Sequence, residues 1–149
     1  MAQTTVPSFL AAFRAQLAAR PGLVGVGVDL VPTADTSNIE RLILIAIPRI
    51  EGSQEQMAMN IRRDRYRIPG RIDTFAADPD SDVAFQTALN RAGAILDELI
   101  LELDDNRPPV GLTSLDGIVD DVAYTPYTEG DGGWRCRCDF VVNYSAAVT

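Results

Sequence analysis

Apolar residues recur at helical spacing in two segments of the chain. In residues 7–20 they lie three to four positions apart, and Pro21-Gly22 would stop a helix there. In residues 79–103 the same spacing continues for roughly two dozen positions as one apolar stripe. The sequence therefore predicts a short N-terminal helix and a long amphipathic helix in the second half of the chain.

Alternating polar and apolar positions, or short apolar runs bounded by turn residues, predict five β-strands. These strands cover residues 23–30, 39–47, 57–75, 118–127 and 134–144. The first two are expected to form a hairpin around a polar turn, and residues 48–56 are expected to be a loop. No internal repeat or linker interrupts the order α-β-β-β-α-β-β, so we expect one domain over residues 1–149.

Runs of strands interrupted by only two helices are typical of an α+β fold. We expect a mostly antiparallel sheet of about five strands, with both helices packed on one face and the other face left to solvent or a partner. The two cysteines, Cys136 and Cys138, fall on the apolar side of the last strand, too far apart for an unstrained disulfide. They are predicted to be reduced thiols packed in the core.

The stretch RRDRYRIPGR, residues 62–71, contains five arginines and one aspartate. On a strand, alternation places Arg63, Arg65 and Arg67 on one face and the residues between them on the other. We call these three residues the arginine ladder. Arg62 and Arg71 lie nearby in sequence.

The composition makes the ladder unusual, because the formal net charge of the chain is −8. All 13 basic residues are arginine, and histidine is absent. Lysine-dependent phosphate loops, Schiff bases, His-containing catalytic groups and His-ligated zinc are therefore excluded. An enzyme built from this chain would have to use carboxylates, tyrosine, serine or a lone thiol. It contains no secretory signal and no membrane span, so the protein is expected to be soluble.

Other motifs are better explained by structure than by chemistry. The glycines of Gly22 to Gly27 precede a strand, whereas a dinucleotide site needs a helix there. Residues 78–82 (DPDSD) resemble half of a calcium loop but lack its required glycine and glutamate, so we interpret them as a helix cap. The pairs Asp104-Asp105 and Asp120-Asp121 are interpreted as solvated acidic surface.

Three interpretations of the ladder remain open. It is a solvated strand face, a nucleic-acid contact, or a protein interface. Specific nucleic-acid binders are usually basic and place aromatic residues among the cations, and here only Tyr66 qualifies. An acidic molecule with one basic strip can instead dock that strip on an acidic surface of another copy, which builds a head-to-tail ring.

The order of elements and the sequences of several segments resemble those of the tail terminator (tail completion) proteins of long-tailed bacteriophages. The resemblance spans nearly the whole chain. The segments that carry it are RPGLVGVGV, IERLILIAI, NIRRDRYRIPGRI, FQTALNRAGAILDELILEL, VGLTSLDGIVDDVAYTPY and WRCRCDFVVNY. Among these, GLTSLDGIVDDV after the long helix is the most telling.

The resemblance implies a structural virion protein without enzymatic activity or a cofactor. It would be made in the host cytoplasm, and six copies would form a ring on the head-proximal end of the tail tube. Such a ring ends tube growth and presents a docking surface to the head connector. The implied partners are the chain itself, the tail tube protein and the connector, while DNA passes through the ring without specific binding. The interface residues expected to meet a neighbouring subunit or the tube are Arg62, Arg63, Arg65, Arg67 and Arg71. A different neck or connector subunit, or a small DNA-binding module, is the alternative.

Overall fold

The computed structural model describes residues 6–32, 40–46, 49–58, 61–105, 114–129 and 133–148. Its elements, in chain order, are α1 (Val6–Ala18), a 3-10 turn (Pro21–Leu23), β1 (Gly27–Asp29), β2 (Arg41–Ile43), β3 (Glu51–Ala58), β4 (Ile61–Ala77), α2 (Ser81–Asp105), β5 (Ser114–Glu129) and β6 (Gly133–Val148). Both predicted helices are present. The predicted turns at 33–38 and 130–132 lie outside the described residues.

The described strands form one six-stranded sheet in the order β1-β2-β4-β6-β5, and β3 pairs with the first half of β4. β4 has 17 residues and β5 and β6 have 16 each, so these three strands run about 50 Å side by side. Every described pairing except β1 with β2 is antiparallel. The predicted α+β class is confirmed, with six strands where about five were expected.

The predicted hairpin of the first two strands is wrong. β1 and β2 are parallel, with Gly27 beside Arg41, whereas the two strands of a hairpin are antiparallel. Glu40 fixes this geometry just before β2. Its carbonyl accepts a 2.9 Å hydrogen bond from the Gly27 amide, and its carboxylate accepts two 2.8 Å bonds from Arg91 of α2. A polar turn in the sequence predicts a reversal but does not fix which edges pair.

The predicted loop at residues 48–56 is also partly wrong, because Glu51–Ala58 is strand β3. The side chains of residues 51–56 are exposed on both faces of the strand, so no apolar alternation marks them as β. Backbone pairing with β4 holds this segment as a strand, although its sequence has no hydrophobic pattern typical of one. At Gly52 the ring of Tyr66, its partner on β4, lies where a side chain would be.

Both helices cover the same face of the sheet, as predicted. Phe9 of α1 is buried with its ring centroid 4.5 Å from that of Tyr144 on β6. On α2, the fully buried Ala88 brings the helix close enough for its carbonyl to accept a 2.8 Å hydrogen bond from the Thr74 hydroxyl of β4. We call this side the helix face and the other side the open face.

Gly70 allows a close packing arrangement in the middle of the sheet. It is buried opposite Phe140 on β6, whose ring lies over it. A Cβ at position 70 would lie 3.0 Å from the Ile43 carbonyl oxygen and closer still to the ring of Phe140, which is 1% exposed. A larger residue here requires the buried ring to move.

Replacing Gly70 with alanine is expected to lower the free energy of unfolding by about 1–3 kcal/mol, because overpacking forces Phe140 out of place. Gly93→Ala is the matched control. An added Cβ at Gly93 of α2 meets only the Tyr124 hydroxyl, at 3.8 Å, and alanine favours the helix by about 1 kcal/mol. Urea unfolding of both variants measures the difference. Equal stability of the two would contradict this packing.

Cys136 and Cys138 are free and buried, at 1% and 0% exposure, as predicted. Burial raises the pKa of Cys136, and it raises the pKa of Cys138 from 9.0 to about 12, with smaller contributions from Cys136 and Asp139. Both thiols therefore stay protonated in the folded protein at neutral pH.

The folded protein is expected not to react with a thiol reagent at pH 8, whereas both thiols react in denaturant. The pH dependence has a definite sign. Above pH 9 the Cys138 thiol ionises in the unfolded chain but not in the native state, so its contribution to stability falls by up to about 1.4 kcal/mol per pH unit until about pH 12. Cys138→Ala removes this dependence. A native protein labelled rapidly at pH 8 would refute the buried placement.

Candidate interface on the open face of the sheet

The arginine ladder lies in the first half of β4, and its predicted alternation is confirmed. Arg65 and Arg67 are exposed and Arg63 is partly exposed. Asp64 and Ile68, which alternate with them along the strand, are buried on the helix face. Alternate residues of a strand point to opposite faces, so the three arginines share the open face. The ladder is part of the protein surface.

The other two predicted interface residues are placed differently. Arg62 alternates onto the helix face, where its Nε binds the carboxylate of the fully buried Asp64 at 2.9 Å. Arg71 lies on the open face, but its Nε binds Asp73 at 3.2 Å. Arg62 therefore does not belong to the ladder surface, and Arg71 lies apart from it.

Arg71 belongs to a compact group of alternating charges. On β6, Arg137 binds Asp139 at 3.1 Å, and the register places Asp139 beside Arg71 and Arg137 beside Asp73. Each cation has an anion along its strand and another across the sheet, which favours strand pairing. This end of the open face is neutralised within the chain.

The two ends of the ladder also have polar or acidic neighbours. Arg67 binds Asp121 of β5 at 2.6 Å and lies beside Glu51 of β3. Arg63 donates a 3.0 Å hydrogen bond to the Ser145 hydroxyl. These contacts are exposed or part-buried, and an exposed ion pair contributes only about 0–1 kcal/mol, so they orient the arginines more than they hold the fold together.

Arg65, at the centre of the ladder, differs from its neighbours. Directly beside it are Ser53 on β3 and Ser145 on β6, neither of them charged. Among the described residues it has no ion pair or side-chain hydrogen bond. Arg65 is therefore an exposed, uncompensated cation in an acidic protein.

A β-bulge in β5 brings the Asp121 carboxylate to the ladder. The register with β6 shifts between Asp120 and Ala123, and Asp121 has a φ of 52°, a left-handed conformation that aspartate tolerates better than most residues. The Asp120 carboxylate accepts hydrogen bonds from the Asp121 amide at 2.8 Å and from the Asn143 side chain at 3.3 Å. The acidic pair expected to be solvated surface is thus joined to β4 and β6.

A groove of about 700 Å³ lies on the open face above the ladder. Its lining includes Arg65 and Arg67 of β4, Asn143 and Ser145 of β6, and Ile118 of β5. Glu51 of β3 also lines the groove, which therefore carries two cations and one anion beside the apolar surface of Ile118, a residue that is 62% exposed. We call it the ladder groove. It suits a ligand with acidic and apolar groups.

Sequence reasoning found the ladder but missed its surroundings. Asp121 and Ile118 become part of the site only through the β5–β6 register and the bulge. The available signal was the alternation in the last strand, which puts Asn143 on the polar side, but alternation does not identify the partner strand. β3, with its two glutamates, carried no apolar signal at all.

The remaining candidates have structural roles. The capping interpretation of residues 78–82 is confirmed, since Asp80 accepts a 3.0 Å bond from the Asp82 amide and Asp78 a 2.8 Å bond from the Asp80 amide. Asp105 lies 3.4 Å from Arg20. Across the described ranges, no cluster of three or more Cys, Asp or Glu residues is arranged to hold a metal ion. None of the described helices is long and apolar enough to cross a membrane.

Comparison with solved structures identifies this architecture. The fold matches a chain from the virion of a native gene transfer agent (GTA) particle, with a TM-score of 0.56 over 97% of this chain and 99% of that chain, at 15% sequence identity. No protein-family model and no curated protein matches the sequence. The chain therefore has, over nearly its whole length, the fold of a chain found in a virion particle.

Proposed function

We propose that this protein is a structural subunit of a phage-like virion and that it acts as a tail terminator. The observation that carries the proposal is the end-to-end fold match to a chain of a GTA virion. Because both chains are covered almost completely, the match concerns the whole subunit and not a common motif within it. The sequence resemblance to tail terminators selects this position in the particle.

The proposed protein forms a ring, expected to be hexameric, at the head-proximal end of the tail tube. The ring ends tube polymerisation and gives the head connector a surface on which to dock. An exposed basic ladder on an acidic subunit supports assembly through complementary charges. The absence of lysine and histidine from the sequence supports a role without enzymatic chemistry.

Charge also supports passage of DNA through the ring without specific binding. The described arginines of the open face are largely matched by acids, as in the group around Arg71 and in the Arg67–Asp121 pair. DNA binding requires cations free to neutralise phosphates. Excess negative charge elsewhere on the subunit would keep DNA from adhering to the ring.

Deleting the gene from the parent phage tests this function. A terminator is required to stop tube growth, so we expect tubes of heterogeneous and excessive length, restored to one length when the wild-type chain is supplied from a plasmid. Tails of normal length that fail to join heads would instead identify a connector subunit. Normal, infectious particles would reject a structural role at the neck.

A further inference from the structure

We propose that the ladder groove receives the outer face of helix α2 from a second copy of this chain. The inference rests on the proposed function and names the surface of the neighbouring subunit that meets the ladder. That surface, the α2 patch, consists of Asp97, Ile100, Leu101 and Asp104 in the last turns of α2.

The α2 patch has the composition of a contact surface. Residues spaced i, i+3, i+4 and i+7 share one helix face, and here all four are exposed. Ile100 and Leu101 are 37% and 46% exposed and lie between two aspartates. Ile100 and Asp104 also line a cleft against Gly117, Ile118 and Val119 of β5. The patch thus offers apolar surface beside acidic groups.

Asp97 differs from three other acids at this end of α2. Glu98, Glu102 and Asp105 point towards α1 and bind Arg20 at 2.8, 3.3 and 3.4 Å. Asp97 has no hydrogen-bond or ion-pair partner among the described residues. Asp97 on α2 and Arg65 on the open face are thus two exposed, opposite charges without an ion-pair partner among the described residues.

The spacing of charges on the two surfaces is compatible. Asp97 and Asp104 are seven residues apart on a helix, about 10 Å along its axis. Arg65 and Arg67, the ladder arginines that line the groove, are two residues apart on a strand, about 7 Å, so Asp97 can meet Arg65 while Asp104 lies near Arg67. Arginine side chains are long enough to absorb the difference. Ile118 in the groove then meets Ile100 and Leu101, which gives the contact an apolar centre.

The two surfaces lie on opposite sides of the sheet, because α2 packs on the helix face and the ladder is on the open face. A contact between them is therefore head to tail, and it repeats from copy to copy until a ring closes. Addition of a partner strand to the β5 edge is a weaker alternative. The bulge at Asp120-Asp121 and Pro126 both interrupt that edge.

A charge exchange tests the contact. Arg65→Glu and Asp97→Arg are each expected to raise the protein concentration for half-assembly at least about tenfold, since each places like charges together. The double variant, and an equimolar mixture of the two single variants, are expected to recover assembly because opposite charges again meet. Asp82→Arg, the same charge change in the first turn of α2, is the matched control. Sedimentation velocity measures assembly, and circular dichroism checks folding.

If the wild-type chain assembles only on tails, the same variants are scored there by tail length and by incorporation. The proposal is overturned if Asp97→Arg assembles like wild type, if the folded double variant is as impaired as the single variants, or if the wild-type chain assembles neither in solution nor on tails. Tails capped by a protein that fails the exchange would leave the terminator function standing, with the tail tube as the occupant of the groove. If the double variant recovers assembly in solution but the wild-type chain is never found on tails, the contact stands and only the terminator function is rejected.

Discussion

A variant in which Arg63, Arg65 and Arg67 are all replaced by serine is expected to fold normally and to lose tail capping. The exposed Arg67–Asp121 bridge contributes about 0–1 kcal/mol, so its loss does not threaten the fold. At an interface the three cations are worth more, and together their removal is expected to reduce occupancy of the tail end by about 100-fold. The readout is the fraction of tails of normal length when the variant complements a gene deletion.

The matched control removes an arginine from elsewhere on the surface. Arg14 on α1 is exposed and lies outside the ladder, so replacing it with serine is expected to preserve capping. Melting curves of both proteins establish that each is folded. If the triple variant is folded and still caps tails at the wild-type level, the ladder is a solvated strand face.

Replacing Arg20 with alanine is expected to destabilise the folded protein strongly. Arg20 joins the end of α1 to three acids of α2, and Glu102 among them is only 2% exposed. The hydrogen bond that Arg20 donates to Glu98 raises the pKa of the Arg20 guanidinium, with the nearby charges of Glu98 and Glu102 adding to it. Without the cation, a buried carboxylate and two neighbouring acids lose their counterion.

The expected loss is about 3 kcal/mol in the free energy of unfolding, which corresponds to a fall of about 10 °C in Tm. Arg14→Ala, at an exposed position on α1, is expected to change stability by less than about 0.5 kcal/mol. Adding Glu102→Gln to the Arg20→Ala variant removes the buried charge and is expected to recover part of the loss. No recovery, together with a fall equal to that of Arg14→Ala, would show that the network contributes nothing.

The fold class followed from the sequence because its signals are local. The apolar stripe of the long helix and the alternation of the last strand each depend on residues close together in the chain. The arginine ladder was found for the same reason. The parallel pairing of β1 with β2 was missed because it depends on the position of each strand in the sheet. A turn pattern in the sequence does not specify that position.

The candidate site was only partly predictable for a related reason. Arg62 and Arg71 are close to the ladder in sequence, but alternation turns Arg62 to the helix face and the register pairs Arg71 with acids. Asp121 reaches Arg67 only through a bulge in β5. β3 is polar throughout its described side chains, so no hydrophobic pattern marked it. Long-range register, and not composition, decides which of these charges meet.

Immunogold electron microscopy of the parent phage and its isolated tails, with an antibody to this chain, tests the central claim most directly. The terminator function predicts label confined to the head-proximal end of the tail, including on tails that never joined a head. Label that remains with heads, or that is absent from both heads and tails, would contradict it.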